Sequence, residues 1–478
     1  MFDLKKRNAN VKTEILGGVI TFIAMCYILP VNTMILSSMG MNSGGVFAMT
    51  AIMSFLVTLI MALVANYPVA LSAGMGLNAY LAYTLGDSLG FTSWQQKMIL
   101  LTVAGIIFFI FSLTPVRKIL IEAIPKKLQL IISLALGGFI ALVGFKSAGI
   151  IVGNPSTLVT IGSFTNFGMI IALVGIFITI AFMFLKNKKV SALAIPFGLL
   201  ITAVVASVTS MILSANGVSK ETITGVYHLP IMPWLDDSLS FGISGVDKVF
   251  FYGLFDSAGG YSWDQFGKDF VSVISNPASY IAIFSLMFVN LFDTTATLLS
   301  VGANAGIIDE NGKINNYRKA VLADATGALI CAPMGTSTLT SFAESNVGIE
   351  VGARTGLSSL TTACLFLLSA FIYPVFSIFT AGCVTAPALV CVGLLIIFSA
   401  VHNLKLEDKA LIFVAFVTLL MTVLTYSLAT GIGFGVITYV LVQLLLGKHK
   451  EINIALYIIV GLFIVSFALN GVMDFINH

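Results

Sequence analysis

Charged residues are scarce in this chain. Of its 478 residues only 9% are Asp, Glu, Lys or Arg, whereas 58% are hydrophobic and the mean hydropathy is +1.03. A soluble domain carries about a quarter charged residues, so this composition excludes an ordinary soluble enzyme and indicates an integral membrane protein embedded in the lipid bilayer. Apolar stretches of about 20 residues, long enough to cross a bilayer as helices, recur from end to end. The net charge of +3 gives no basic surface for nucleic acid.

Cysteine and histidine are also rare. The five cysteines lie in apolar segments without metal-ligand spacing, which favours small buried side chains over disulfides or metal ligands. The four histidines fall in predicted loops or at the C-terminus, which argues against a histidine proton relay in the membrane. We therefore expect no cofactor. The first apolar run lacks a small-residue cleavage site after it, which predicts a retained first span rather than a signal peptide.

Fifteen apolar segments are candidates for membrane helices. In chain order they cover residues 14–37, 44–66, 76–88, 97–115, 128–147, 166–186, 191–214, 275–300, 317–332, 340–352, 355–376, 383–401, 408–428, 431–447 and 452–472. Segments 76–88 and 340–352 are too short to cross as regular helices, and both follow non-helical sequence. Broken backbone at membrane depth is tolerated only where protein or a cavity covers it, and two such segments in corresponding halves are typical of a transporter site.

The two short segments also indicate an internal repeat. Alignment of Ala73–Gly76 with Ala332–Gly335 gives an offset of 259 residues. The same offset places span 14–37 on the span that contains Asp293. We therefore expect two repeats of about seven spans, and an odd number of crossings inverts the second repeat relative to the first.

Loop charges predict the orientation. Lysine and arginine cluster near 117–118, 126–127 and 186–189, which predicts cytoplasmic loops and a cytoplasmic N-terminus. The loop at about 215–273 holds three basic and seven acidic residues together with Trp234 and Trp263, as is typical of an external loop.

The C-terminal spans are ambiguous. The basic loop at 447–450 favours a crossing at 408–428, with 452–472 as an additional segment. The constant offset instead pairs 191–214 with 450–473 and leaves 408–428 incomplete. We favour the charge rule.

Two carboxylates lie in segments that are otherwise apolar and are predicted to be inside the membrane. Asp293 is the only charged residue between about 275 and 308, and Glu344 follows the polar run 336–341. Intramembrane acids are costly and usually line a pathway. Asn290, on the same helix face as Asp293, completes a surface suited to a planar polar ligand. The structural alternatives are that Asp293 fastens a helix break and that Glu344 accepts backbone N–H groups at a helix N-terminus.

Other candidates lie in the first half of the chain. Asn78 is near the start of the short helix after Gly74, where its amide suits a ligand edge with both a donor and an acceptor; an N-cap role is an equal alternative. Tyr27 and Cys26 lie mid-span in the first helix, and Tyr27 either stacks on a flat ligand or packs as a core aromatic.

Charged residues at two span boundaries are interpreted as structural. They are Asp324 with Arg318, placed near the cytoplasmic face, and Glu350 with Arg354, and neither pair is assigned a substrate role. No metal cluster or nucleophile–base pair lies in the predicted spans, which disfavours a membrane enzyme. The central charges are acidic, which argues against an anion carrier or channel.

Four motifs together resemble a known family. They are Ala73-Gly74-Met75-Gly76-Leu77-Asn78-Ala79, the Phe-Val-x-Leu-Phe-Asp-Thr run around Asp293, Asp309-Glu310-Asn311-Gly312, and Thr340-Ser341-Phe342-Ala343-Glu344-Ser345. The chain resembles the AzgA-like purine permeases, a branch of the nucleobase–ascorbate (nucleobase-cation symporter-2) transporters, over nearly its whole length.

The resemblance implies a fold and its division into domains. We expect an all-α polytopic protein with a 7+7 inverted repeat and two half-helices near 76–88 and 340–352, each preceded by a short extended strand. The expected domains are a core at 1–115 and 274–376, a gate at 116–214 and 377–447, an extracytoplasmic loop at 215–273 and a C-terminal hydrophobic segment at 448–478.

The resemblance also implies a function. It predicts proton-coupled import of adenine, guanine or hypoxanthine across the cell membrane, often by a homodimer. The predicted substrate contacts are Cys26, Tyr27, Asn78, Asn290, Asp293, Thr340, Ala343 and Glu344, and Asp293 and Glu344 are the predicted proton-coupling groups. The alternative is a uniporter, or a carrier of uracil, xanthine or an anion on the same fold.

One position departs from the family pattern. The family commonly has Asp where this chain has Asn290. That difference removes a titratable group, so the coupling ion and its stoichiometry stay open.

Overall fold

The computed structural model describes the chain except for residues 1, 3, 5, 6, 8, 86–89, 115–124, 231–240, 257–260, 308–315, 405–407, 450, 451 and 478. The described α-helices are α1 Val11–Met25, α2 Ile28–Ser37, α3 Ser43–Ile60, α4 Met75–Tyr80, α5 Trp94–Leu113, α6 Lys126–Ser147, α7 Phe167–Met183, α8 Lys188–Ala192, α9 Ala194–Ala215, α10 Trp263–Ser275, α11 Pro277–Asn304, α12 Tyr317–Ile330, α13 Ser345–Val351, α14 Gly356–Ser369, α15 Tyr373–Ser377, α16 Gly382–Leu404, α17 Lys409–Leu424, α18 Leu428–Leu445 and α19 Ile454–Asn477. The strands are β1 Leu71–Ala73, β2 Ile151–Asn154, β3 Leu158–Ile161 and β4 Leu339–Ser341. Each of the fifteen predicted segments overlaps at least one of these helices.

The helices make this a multi-pass membrane protein. In the part of the chain that the structure describes, eight helical segments are long and apolar enough to cross a bilayer, with α1–α2 counted as one span. A ninth candidate is the pair Gly356–Ser369 and Tyr373–Thr380, bent by 91°. Helices α7 and α17 and the stretch Ile454–Val465 are shorter apolar helices.

Strands β1 and β4 join the two halves of the chain. They pair antiparallel, with Ser72 opposite Thr340, and a short helix follows each strand. A π-helical turn, Leu81–Leu85, extends α4. Because the strands run in opposite directions, the two strand–helix units are inverted relative to each other, as a 7+7 inverted repeat requires. The prediction of two half-helices that each follow a strand is confirmed.

The predicted register of the repeat is wrong. Leu71 corresponds to Leu339, an offset of 268, and Met75 corresponds to Ser345, an offset of 270, instead of 259. The Gly- and Pro-containing stretch 332–335 forms a turn before β4, because the connection from α12 to β4 (331–338) is longer than its counterpart before β1 (66–70). The second half-helix consequently begins at Ser345 and not at 340.

The helix order at the C-terminus matches that of the first half of the chain. After α6 come α7 and α9, and after α16 come α17 and α18 in the corresponding places. Helix α17 packs against α18 and α6, and α19 packs against α18. In this order α19 lies beyond the second repeat, and the crossing of the bilayer by α17 stays a prediction of the charge rule.

The helices pack in two groups. Helices α1, α2, α3, α5, α11, α12 and α14 contact one another and surround β1 and β4. Helices α6, α7, α9, α16, α17 and α18 form the second group, in which Gly137 of α6 and Gly393 of α16 face each other so closely that a side chain on either would meet the other's backbone. Helix α4 lies at the boundary, where Gly76 contacts Leu136 of α6. The half-helix of the first repeat thus bridges the two groups.

Segment 215–273 contributes the amphipathic helix α10. Its Asp269 carboxylate accepts hydrogen bonds from the Tyr261 hydroxyl at 2.9 Å and from Gln96 Nε2 of α5 at 3.2 Å. Trp263 at its first turn is 66% exposed, as expected for an interfacial aromatic. Trp234 lies outside the described residues.

A buried acid on α1 caps α14. The Glu14 carboxylate is fully buried and accepts the backbone N–H groups of Arg354 at 2.7 Å, Thr355 at 3.1 Å and Ser358 at 3.3 Å. Backbone donors at a helix N-terminus have no partner within the helix, and a carboxylate also complements the helix dipole. Glu14 thus joins the first span of one repeat to the fourth span of the other.

Glu14→Ala should lower the free energy of unfolding by about 3 kcal/mol, because it leaves buried N–H groups without acceptors. Thermal unfolding in detergent measures the effect. Glu350→Ala, which removes an exposed acid of α13, is the matched control and should leave the melting temperature unchanged. Equal melting temperatures for the two variants would contradict the assigned cap.

Candidate functional site

The end of β4 positions Glu344. Phe342 donates its backbone N–H to Ala70 O, and Ser345 Oγ accepts the Ala70 N–H, so the chain on both sides of Glu344 is fixed to the strand of the other repeat. Glu344 directly precedes α13, and its side chain makes no capping bond to that helix. Its carboxylate is therefore free of the helix-capping role that was the structural alternative.

Tyr27 binds Glu344. Helices α1 and α2 are interrupted at Cys26 and Tyr27, and there the fully buried Tyr27 donates its hydroxyl to Glu344 Oε1 at 2.6 Å. Glu344 itself is half-buried, and neighbouring Ala343 is exposed. The buried phenol thus orients a carboxylate that keeps access to the surface.

Asp293 completes this cluster. Its half-buried carboxylate accepts a hydrogen bond from the Thr340 hydroxyl and lies within electrostatic reach of Glu344 and Asp324. Thr340 is the residue of β4 that opposes Ser72 at the centre of the strand pair. The structure therefore brings Tyr27, Asp293, Thr340 and Glu344 together from α1–α2, α11 and β4, with half-buried Cys26 adjacent.

A third acid, Asp324, accepts hydrogen bonds from the last residue of β4. Asp324 of α12 is fully buried; its Oδ1 accepts the Ser341 N–H at 2.9 Å and the Ser341 hydroxyl at 2.8 Å, and its Oδ2 accepts the Thr294 hydroxyl at 2.7 Å. Arg318, its predicted partner near a membrane face, is exposed. Sequence reasoning missed this role, although the hydroxyl-rich partners Thr294 and Ser341 were visible signals.

Asn78 lies in a separate, fully buried polar network. Its Nδ2 donates to Asn32 Oδ1, and Asn32 Nδ2 donates to Thr50 Oγ1 at 2.8 Å and to Thr336 Oγ1 at 3.1 Å. Asn78 follows the first turn of α4 and is not its N-cap, which is Gly74. Asn32 was not among the predicted site residues, because a lone amide in an apolar helix gives no clear signal.

Asn290 has surroundings unlike those of Asp293. It is 2% exposed, and its Oδ1 has no hydrogen-bond partner among the described residues. It lines a cavity with room for about one water molecule, between α4, α5, α11 and α12. Leu77, Phe108, Met287 and Thr338 are among the other lining residues. The two polar residues of α11 thus lie in different environments.

Two interrupted spans, an antiparallel strand pair between inverted repeats and a half-buried pair of acids define a membrane transporter of the inverted-repeat class. The model of a permease family (Xan_ur_permease) matches residues 12–410. The chain belongs to this family and is a permease rather than an enzyme.

Similar proteins cover the chain almost completely. The chain is 37% identical over 98% of its length to the guanine/hypoxanthine permease PbuO of Bacillus subtilis strain 168, of which it covers 99%. It is 32% identical over 97% of its length to the adenine permease AdeQ of Escherichia coli strain K12, of which it covers 94%. The transmembrane domain of the cyanobacterium bicarbonate transporter BicA has the same fold, with a TM-score of 0.55 and 12% identity over 89% of this chain and 97% of that one. At that identity the likeness concerns the fold alone.

Proposed function

We propose that this permease imports purine nucleobases, with adenine, guanine and hypoxanthine as the candidate substrates, by proton-coupled symport. The observation that carries the proposal is the cluster of Tyr27, Asp293, Thr340 and Glu344 at the meeting point of the two repeats. The substrates after which the similar permeases are named, guanine, hypoxanthine and adenine, support the purine class.

The cluster suits the edge of a purine. A purine carries N–H donors beside ring-nitrogen acceptors, and carboxylates accept N–H bonds strongly. Tyr27 occupies Glu344 Oε1, so Oε2 serves the base. Exposed Ala343 and half-buried Cys26 border the position in which the flat ring lies. Tyr27 acts by orienting Glu344, because its fully buried ring has no free face for stacking.

The same acids supply the coupling. Glu344 and Asp293 lie close enough to repel each other when both are ionised, and a proton on one relieves that repulsion. Binding of the proton and binding of the base thereby favour each other. Asn290 contributes no titratable group, and the third acid, Asp324, is committed to hydrogen bonds with Ser341 and Thr294, so we assign the coupling to Glu344 and Asp293.

A panel of unlabelled bases tests the substrate class. Adenine, guanine, hypoxanthine, xanthine and uracil compete for binding of labelled hypoxanthine to purified protein, followed by uptake of the tightest binder into proteoliposomes. The proposal requires that adenine, guanine or hypoxanthine competes best, ahead of xanthine and uracil. Stronger competition by uracil, or competition by an inorganic anion alone, would overturn it.

Transport requires the two helix groups to move relative to each other. In the proposed arrangement, segments 1–115 and 274–376 form the core, 116–214 and 377–447 form the gate, the N-terminus is cytoplasmic, loop 215–273 faces outside and segment 448–478 is peripheral. Site residues come from the first group, and α4 contacts α6 of the second. The family resemblance also implies that the permease works as a homodimer in the cell membrane.

Closure at the proposed outer end rests on an aromatic cluster. Tyr426, in the turn between α17 and α18, adopts a strained left-handed backbone with φ of 52° and accepts a hydrogen bond from Thr84 at its carbonyl. Its ring lies 6.1 Å from that of Tyr83 and 4.4 Å from Lys146 Nζ. Tyr83 is also hydrogen-bonded to Ser38 at the end of the first span. These contacts tie the extension of α4 to the second helix group.

Tyr426→Ala should favour the outward-open state roughly tenfold, because it removes the ring and cation contacts on which the proposed closure rests. In a variant that keeps Cys26 as its single cysteine, a membrane-impermeant maleimide added outside should label Cys26 correspondingly faster. Tyr457→Ala on α19 is the aromatic control. Unchanged labelling in Tyr426→Ala would contradict the assigned closure.

A further inference from the structure

Asn32 makes every hydrogen bond that its amide allows. Both of its N–H groups are used, by the Thr50 and Thr336 hydroxyls, and its Oδ1 accepts from Asn78 Nδ2 and from Ser337 Oγ at 3.4 Å. The residue is fully buried and contacts both repeats. An amide with four partners has a defined orientation.

The orientation follows from the threonines. The Thr50 hydroxyl donates its single hydrogen to Val46 O at 2.6 Å, so it must accept from its other neighbours. Thr336, 2.8 Å from Thr50, therefore donates to Thr50 and also accepts from Asn32. Asn32 must then direct its NH₂ group at the two threonines and its carbonyl oxygen at Asn78.

This fixes the amide of Asn78 in turn. If Asn78 were rotated by 180° about its last side-chain bond, two carbonyl oxygens would face each other. Asn78 therefore donates Nδ2 to Asn32 and turns Oδ1 away, and that buried Oδ1 has no partner in the described structure. A buried acceptor without a partner is costly, so a donor is expected to satisfy it.

Asn78 is connected to the acid cluster through the start of its helix. Gly74, one turn earlier, donates its N–H to Thr338 O at 3.0 Å, and any side chain on Gly74 would meet Thr340, the partner of Asp293. We infer that Asn32 is a positioning residue that holds Asn78 with its carbonyl oxygen toward the substrate, where it accepts an N–H group of the base. The inference rests on the proposed function and specifies the polarity of this contact.

Binding of two series of hypoxanthine analogues tests the inference. N-methyl analogues each remove one N–H donor, and deaza analogues each replace a ring-nitrogen acceptor with C–H. Asn78→Leu, which is nearly isosteric, should weaken the binding of hypoxanthine about tenfold and the binding of one N-methyl analogue less than twofold. Binding of the deaza analogues should weaken by the same factor as binding of hypoxanthine. If Asn78→Leu instead left the binding of one deaza analogue nearly unchanged, Nδ2 would face the base, and the inference would be overturned.

Asn32 variants separate positioning from support of the fold. Asn32→Leu frees the Asn78 amide to rotate and should reduce discrimination against that N-methyl analogue several-fold. In its protonated form, the carboxyl group of Asn32→Asp keeps an acceptor toward Asn78 and donates its O–H to Thr50 Oγ1, whose own hydrogen stays on Val46 O, so the variant should restore the discrimination.

Two outcomes would refute the inference or the function on which it rests, and neither requires that Asn32→Leu folds. If Asn32→Leu fails to fold, Asn78→Leu and Asn32→Asp still decide the question. Variants that shift the melting temperature but leave every analogue ratio unchanged would show that only a bound water satisfies Asn78, and the inference would fail. Wild-type protein that binds no purine would instead refute the proposed function.

Discussion

Glu344→Gln should abolish concentrative uptake of hypoxanthine and weaken its binding about a hundredfold. The glutamine oxygen still accepts from the Tyr27 hydroxyl, so the local fold survives. Its NH₂ group, however, presents donors where the N–H of the base requires an acceptor, and an amide exchanges no proton. Both binding and coupling therefore depend on the carboxylate. Equilibrium binding and uptake under an imposed proton gradient measure the two effects separately.

Two variants control for this result. Glu350→Gln changes an exposed acid on the same short helix and should transport normally. Tyr27→Phe leaves Glu344 ionisable but removes its orienting donor, so binding should weaken about tenfold while coupling persists. Normal concentrative uptake by Glu344→Gln would remove Glu344 from the mechanism.

Asp324→Leu should have the largest effect on stability, a loss of about 4 kcal/mol in the free energy of unfolding. The change leaves the Ser341 N–H, the Ser341 hydroxyl and the Thr294 hydroxyl without the acceptor they share. Because Ser341 ends β4 only three residues before Glu344, binding of hypoxanthine should be lost as well. Thermal unfolding and binding of the detergent-purified protein measure both effects.

Asp324→Asn is the graded comparison. One oxygen remains to accept from Ser341, and the Thr294 hydroxyl turns to accept from the new NH₂ group. The loss of stability should therefore be less than half that of Asp324→Leu. An Asp324→Leu protein that melts with the wild type would contradict the role assigned to this acid.

The sequence predicted the fold well because its signals are local. Apolar runs of spanning length and two Gly-containing interruptions are visible residue by residue, and they predicted the inverted repeat and the two half-helices. The strands before the half-helices were implied by the family resemblance. The register of the repeat was wrong because similar composition at 73–76 and 332–335 concealed connections of different length. The lengths of the two connections depend on how the helices and strands pack, and the composition of one repeat does not reveal that packing.

The sequence predicted several residues of the candidate site but not their spatial arrangement. Asp293 and Glu344 attract attention as acids in apolar sequence, and the structure brings both beside Thr340 and Tyr27. Asn32 and Asp324 were missed or misplaced because their importance depends on partners up to 305 residues away in the chain. Helix periodicity put Asn290 and Asp293 on one face, but only packing against α5 and α12 reveals the apolar cavity beside Asn290.

The central claim is that the paired acids bind a purine together with a proton. The most direct measurement records hypoxanthine uptake and external pH simultaneously in lightly buffered proteoliposomes that have no imposed gradient. Addition of hypoxanthine should make the external medium more alkaline at a rate proportional to uptake, and Glu344→Gln should show neither signal. Hypoxanthine uptake by the wild type with no change in external pH would contradict the account.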